Sequence, residues 1–175
     1  MEERGIILVF EMRKAVLVDR DDTLCPDVPY CSDPSKIHVF PDVPEAIRRL
    51  NEAGYLVLMV TNQSGIGRGY FTVDDLEAVN SELLHQIEAG GGHIDDIFFC
   101  PHAPDENCDC RKPKLGMGLK AIAKYNLDPS HSWMIGDKDK DMEFGKGLGF
   151  GTIMVSSALN FSDAVDLILS RTIQI

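Results

Sequence analysis

The stretch Ala15-Val16-Leu17-Val18-Asp19-Arg20-Asp21-Asp22-Thr23 decides the fold. Four consecutive apolar residues read as a short buried strand, and the carboxylates begin where that strand would leave a sheet. Downstream, Val43–Ala53 is expected to be a helix, with Asp42 as N-cap, Glu45 completing a capping box and Gly54 as the stop. Leu56–Val60 reads as the next strand, and the Gly-rich loop Ser64–Gly69 leads to a second helix that starts after Thr72 and ends at Gly90–Gly92. Ile94–Cys100 reads as the third strand, followed by a helix at Gly118–Tyr125 and a strand at Trp133–Ile135. A short helix near Asp141–Lys146, a strand at Thr152–Val155 and a last helix capped by Ser162 complete the pattern. Strands alternating with helices imply an α/β fold: a doubly wound, Rossmann-like parallel sheet of about five strands with right-handed crossovers. Ligands bind such sheets at the carboxyl ends of the strands. Asp19, Thr61, Cys100 and Asp137 fall at or just past the ends of successive strands.

The chain has 175 residues and a 44% hydrophobic fraction, enough for one core. Residues 12–175 are expected to form a single domain, with 1–11 as an N-terminal extension in which Ile6–Phe10 is either an edge strand or an appended segment. The apolar runs are far shorter than the ~20 residues that cross a bilayer, and the acidic start Met1-Glu2-Glu3 does not resemble a signal peptide. A cytoplasmic monomer is therefore expected. A net charge of −11 argues against nucleic acid and anionic membrane as partners. It leaves room for a small phosphorylated metabolite where Arg68, Arg111, Lys112, Lys114 and Lys138 gather locally.

Carboxylates two residues apart, as at Asp19 and Asp21, suit nucleophilic attack on phosphorus by one group and proton transfer by the other. The hydroxyl and amides of Thr61-Asn62-Gln63-Ser64 suit phosphate oxygens, and Lys112 supplies fixed positive charge. Gly136-Asp137-Lys138-Asp139-Lys140-Asp141 adds carboxylates for a hard cation such as magnesium. Five cysteines, an odd number, argue against a disulfide framework. Cys100, His102, Cys108 and Cys110 crowd into eleven residues and read as a closed, structural zinc site, while Cys25 and Cys31 read as ordinary thiols.

This ordered set resembles the haloacid dehalogenase-like phosphatase superfamily. Asp19 and Asp21 match its first motif, Thr61 its second, Lys112 its third and Gly136-Asp137 its fourth. The resemblance implies a phosphatase with Asp19 as nucleophile, Asp21 as general acid/base, and Thr61 and Lys112 holding the phosphoryl group. It also implies a catalytic magnesium on Asp19, the Asp21 carbonyl and Asp137, with Asp141 farther out. Asp22 departs from the pattern, which usually has glycine there. That carboxylate would either perturb its neighbours or point to solvent.

The zinc loop running into Cys110-Arg111-Lys112-Pro113 is similar to the heptose bisphosphate phosphatase and histidinol-phosphatase branch. By that resemblance Asp27, Val28, Pro29, Tyr30, Asn62, Gln63, Ser64, Arg111 and Lys138 contact substrate, and the span from Thr23 to Thr61 leaves room only for a minimal cap. Ser64 and Arg68-Gly69 look like the heptose enzymes, which remove the 7-phosphate of D-glycero-D-manno-heptose 1,7-bisphosphate. The short span from Cys100 to Cys108 looks equally like the histidinol-phosphate enzymes. The heptose reading is preferred, with histidinol-phosphatase and polynucleotide 3′-phosphatase as alternatives. A receiver-type phosphoacceptor domain is the non-enzymatic alternative, disfavoured because receivers accept phosphate after a mid-chain strand.

Overall fold

The computed structural model describes residues 11–172, so the expectation for Ile6–Phe10 lies outside the described residues. Five strands, β1 (Ala15–Val18), β2 (Leu56–Asn62), β3 (Asp96–Cys100), β4 (Trp133–Gly136) and β5 (Gly151–Met154), form one sheet in the order β3-β2-β1-β4-β5. Every pairing is parallel, with Leu17 level with Leu58 on one side and Met134 on the other. The chain winds outward from β1 through β2 to β3, then crosses back to β4 beside β1. The carboxyl ends of β1 and β4 therefore flank the switch point, where a crevice opens in this class of sheet.

Buried strands show both faces to protein. Val16, Val18, Val57, Met59, Ile135 and Ile153 pack under α1 (Val43–Glu52), α2 (Val73–Ala89) and α5 (Phe161–Thr172). Their neighbours Ala15, Leu17, Leu56, Leu58, Val60 and Met134 pack under α3 (Gly116–Tyr125) and α4 (Asp139–Gly147). The two-residue period of a strand thus feeds two separate cores from one apolar run. Gly145 lets α4 approach the sheet closely, since a Cβ there would sit 2.7 Å from the Met134 Cβ.

Two helix starts differ from the sequence reading. Asp42 makes no side-chain cap on α1. Its carboxylate instead accepts a hydrogen bond from the Ser162 backbone N–H at 3.0 Å, while Glu45 pairs with Arg48. At α5, Asn160 and Asp163 accept from each other's backbone N–H at 2.8 and 3.0 Å, and the Ser162 hydroxyl accepts from Arg49. In both cases a long-range partner across the α1–α5 contact takes the side chain that local spacing assigns to a cap. The predicted cap at Thr72 does form, in a reciprocal box with Asp75.

Leu58, on β2 beside the central strand β1, is completely buried. Leu58→Ala is expected to lower the unfolding free energy by ~2–5 kcal/mol. Urea titration should show this as a lower midpoint at unchanged slope.

Candidate active site

Asp19 continues β1 by one residue, its backbone N–H donating to the Ile135 carbonyl at 3.0 Å. Lys112 comes from the loop between β3 and α3 and is buried. Its Nζ donates to Asp19 Oδ1 at 2.9 Å and to the Val60 carbonyl at 2.8 Å, and lies 2.7 Å from Asp141 Oδ1. Asn62 grips the Lys112 backbone at both ends, accepting from its N–H at 3.0 Å and donating to its carbonyl at 3.2 Å. Burial by itself would raise the Asp19 pKa, but Lys112, Lys140 and the Arg20 backbone N–H together outweigh it and hold the carboxyl below its ordinary value. Burial likewise opposes the charge on Lys112, and Asp19 and Asp141 together more than offset it, so its pKa is raised.

Asp21 sits in the turn that follows. Burial pushes its carboxyl up, against the pull of the Arg20 guanidinium. Arg20 donates from Nε to Oδ1 at 3.0 Å and from Nη2 to Oδ2 at 3.2 Å. Gln63 Nε2 donates to the same Oδ2 at 3.1 Å and to Thr61 Oγ1 at 2.9 Å. Asp22 has a φ of 57°. Glycine adopts that left-handed region without strain, and aspartate is among the few other residues that tolerate it. Its exposed carboxylate accepts from the Asp27 backbone N–H at 3.0 Å and lies 4.0 Å from Lys138 Nζ. The departure at this position therefore braces the loop that carries Asp27.

Above Asp19 and Asp21 lies an open cavity of about 290 Å³. All nine residues expected to contact substrate line it: Asp27, Val28, Pro29, Tyr30, Asn62, Gln63, Ser64, Arg111 and Lys138. Thr61 and Lys112 are buried and do not line it. Tyr30 and Tyr70 meet edge to face, with ring centroids 4.7 Å apart, and so join the loops after β1 and β2 at its rim. Arg111 donates to the His102 carbonyl at 3.4 Å, which ties it to the cysteine loop.

Two clusters have the makings of cation sites. Carboxylate oxygens of Asp19, Asp137 and Asp141 lie within 4.8 Å of one another. Asp137 Oδ1 is buried without a hydrogen-bond partner, and the Asp137 pKa is raised by burial and by Asp19. A hard divalent cation fits that donor set and would satisfy the orphaned oxygen. Of the residues expected to hold magnesium, Asp21 contributes no carboxylate to this cluster; its side chain is engaged by Arg20 and Gln63, which leaves only its backbone carbonyl for the role. Gly136 makes room for Asp141, because a Cβ there would run into the Asp141 side chain.

The second cluster joins Cys100, His102, Cys108 and Cys110, whose ligand atoms also lie within 4.8 Å of one another. Cys110 Sγ is 3.1 Å from Cys100 Sγ and 3.2 Å from His102 Nδ1. Burial pushes the Cys100 thiol up to about 12. Burial also acts against Cys108, yet the Arg111 backbone N–H, the Cys100 and Cys110 thiols and the Cys110 N–H bring that thiol down to about 7. Three sulfurs and one imidazole supply the four donors that a four-coordinate zinc takes. Cys25 and Cys31 are free thiols outside this cluster.

The comparisons with known proteins agree with this geometry. A family model described as HAD-hydrolase-like matches residues 109–166. The D-glycero-β-D-manno-heptose-1,7-bisphosphate 7-phosphatase of Pasteurella multocida is 42% identical over 142 residues, covering 78% of this chain and 77% of that protein. The chain belongs to the haloacid dehalogenase-like phosphatases, in the heptose bisphosphate phosphatase branch. The Haemophilus influenzae enzyme of the same name is 39% identical over 78% of this chain and 77% of its own. A D,D-heptose 1,7-bisphosphate phosphatase from B. bronchiseptica, solved with magnesium and phosphate, superposes with a TM-score of 0.82 at 27% identity, covering 90% of this chain and 99% of that one.

In this phosphatase three cavity or site residues escaped the sequence reading. Lys140 lines the cavity and lowers the Asp19 pKa, but in sequence it is one of several alternating charges. Arg20 gave no signal beyond its place between two aspartates. Asn80 did give one: it is a buried polar residue beside the apolar stripe of α2, and its Oδ1 accepts from Arg20 Nη1 at 3.2 Å.

Two predictions follow from the cation clusters. A carboxylate with a raised native pKa binds protons more readily folded than unfolded, so its ionisation costs stability at neutral pH and the cost fades as pH falls. In metal-free phosphatase Asp137→Asn is therefore expected to raise Tm at pH 7 but not at acid pH. Added magnesium should raise the wild-type Tm and leave that variant unmoved in the same thermal scans. Elemental analysis of protein purified without chelator is expected to find about one zinc per chain, by the four-ligand argument, and the Cys108→Ser/Cys110→Ser variant should have lost it.

Proposed function

We propose that this phosphatase hydrolyses a small sugar bisphosphate through an aspartyl-phosphate on Asp19, and that the substrate is D-glycero-D-manno-heptose 1,7-bisphosphate, cleaved at the 7-phosphate. The observation that carries the chemistry is the buried Lys112 ammonium on Asp19 Oδ1, with Asp21 opening into the same cavity. In this reading Asp19 attacks phosphorus while Lys112 holds its carboxylate from the buried side, and Thr61 supports the cavity wall through Gln63. Asp21 gives its proton to the leaving oxygen. It then takes one from the water that cleaves the acyl phosphate, so the proton balance closes over the two steps. Magnesium on Asp19, the Asp21 carbonyl and Asp137 would supply charge neutralisation between the carboxylate and the phosphate.

Support for the substrate comes from the relatives, two of which carry the heptose bisphosphatase name at 39% and 42% identity. The cavity adds chemical support: Arg111, Lys138 and Lys140 offer cations for a second phosphate, and Asp27 and Ser64 offer polar contacts for sugar hydroxyls. Arg111 reads the phosphate that is not transferred, and a planar guanidinium grips such a group with two hydrogen bonds.

Asp19→Asn is expected to abolish phosphate release from every substrate while the protein stays folded. Arg111→Ala should cut kcat/KM for the bisphosphate by ~10- to 100-fold, consistent with a lost charged hydrogen bond, and should change turnover of an aryl phosphate far less. Equal losses on the two substrates would move Arg111 to the transferred phosphate and remove its support for a bisphosphate. Histidinol phosphate turned over faster than the heptose bisphosphate would overturn the substrate assignment.

A further inference from the structure

Arg20 is 1% exposed and stands first among the largest fully buried side chains of the described residues. A guanidinium cannot lose its charge, so its burial is tolerable only where it is paired and hydrogen-bonded. Its main partner is its own sequence neighbour Asp21, an arrangement that the turn makes possible: the Arg20 carbonyl accepts from the N–H groups of Thr23, Leu24 and Cys25 at 3.3, 2.9 and 3.3 Å. The folded loop brings Nε and Nη2 onto the two oxygens of the Asp21 carboxylate, a fork that fixes the plane of the group. Nη1 is held in turn by Asn80, which is 5% exposed on α2. Gln63 completes the arrangement by linking Asp21 Oδ2 to Thr61 Oγ1. A continuous series of hydrogen bonds therefore runs from α2 through Asn80, Arg20, Asp21 and Gln63 to the end of β2.

We propose that Arg20, backed by Asn80, is a positioning residue that holds the Asp21 carboxyl in the orientation needed to pass a proton to the leaving oxygen. The role rests on the reading of Asp21 as general acid/base. A carboxyl on a surface turn would sample several rotamers, and only some would face the cavity that Asp21 lines. The fork and the Gln63 contact remove that freedom, and proton transfer depends steeply on such alignment. Neither Arg20 nor Asn80 needs to touch substrate for this.

The test is steady-state kinetics, with magnesium, of Arg20→Met, Arg20→Lys and Asn80→Ala. Each is assayed on p-nitrophenyl phosphate, whose leaving group needs little protonation, and on a primary alkyl phosphate, whose leaving group needs it. Arg20→Met is expected to lower kcat on the alkyl phosphate by ~10- to 100-fold, the scale of a misplaced catalytic group, with KM little changed and a much smaller loss on the aryl phosphate. Arg20→Lys and Asn80→Ala should show the same pattern more weakly, and they carry the comparison if Arg20→Met does not fold. In an Asp21→Asn background, assayed on the aryl phosphate, the Arg20 and Asn80 changes should cost nothing further. Equal losses on both phosphates, or undiminished losses in the Asp21→Asn background, would overturn the positioning role. If Asp21→Asn alone shows no dependence on leaving group, the acid/base assignment itself falls, and this proposal falls with it.

Discussion

A single buried ammonium, Lys112 Nζ, is shared among Asp19, Asp141 and the Val60 carbonyl, and the carboxyl end of the sheet is organised around it. Taking an ion out of water costs several kcal/mol even after the protein relaxes, and only close, well-directed partners offset that cost. Here the partners come from β1, β2 and α4, while Lys112 itself belongs to the loop after β3. Four separate segments are therefore pinned at one point. The demand reaches outward: Asn62 has to hold the lysine backbone, and residue 136 has to be glycine so that Asp141 can approach. Removing the lysine would leave the buried carboxyl groups of Asp19 and Asp141 without their shared cation, so this contact holds the fold locally.

The same crowding explains the uneven electrostatics of the site. Asp19 is held ionised by its cation, whereas Asp137, with one buried oxygen unpartnered, is pushed toward the neutral form. A divalent cation there would resolve the imbalance without further protein charge. The softer donors are kept apart on the loop of Cys100 to Cys110, so a hard and a soft ion would be sorted by ligand chemistry and by position. That loop runs straight into Arg111 and Lys112, which gives a structural metal there a means of setting where the two cations stand.

Much of this was legible in the chain. The unbroken apolar run at Ala15–Val18 and the alternation of strand and helix patterns are enough for the parallel sheet. Polar residues placed directly after strands meet around one cavity, lined by the nine residues expected to contact substrate but not by Thr61, Lys112, Arg68 or Lys114. Less legible was what each side chain does there. Asn62 and Gln63 read as phosphate-facing amides, yet Asn62 holds the Lys112 backbone and Gln63 bridges Asp21 to Thr61. Asp42 and Ser162 read as helix caps and serve instead as partners across the α1–α5 contact.

The division has a physical cause. Burial periodicity, turn propensity and metal-ligand spacing are local properties, so the sequence by itself determined the sheet, the strand ends and the Cys100, His102, Cys108 and Cys110 cluster, whereas the inclusion of Asp141 beside Asp19 and Asp137 came from the fold. Which polar groups meet across more than one segment depends on distances that only the packed chain defines. Tertiary structure alone therefore decided that Asp141 shares Lys112 with Asp19, that Asp22 tolerates a left-handed φ while bracing the Asp27 loop, and that Arg20 turns back onto Asp21 with Asn80 behind it.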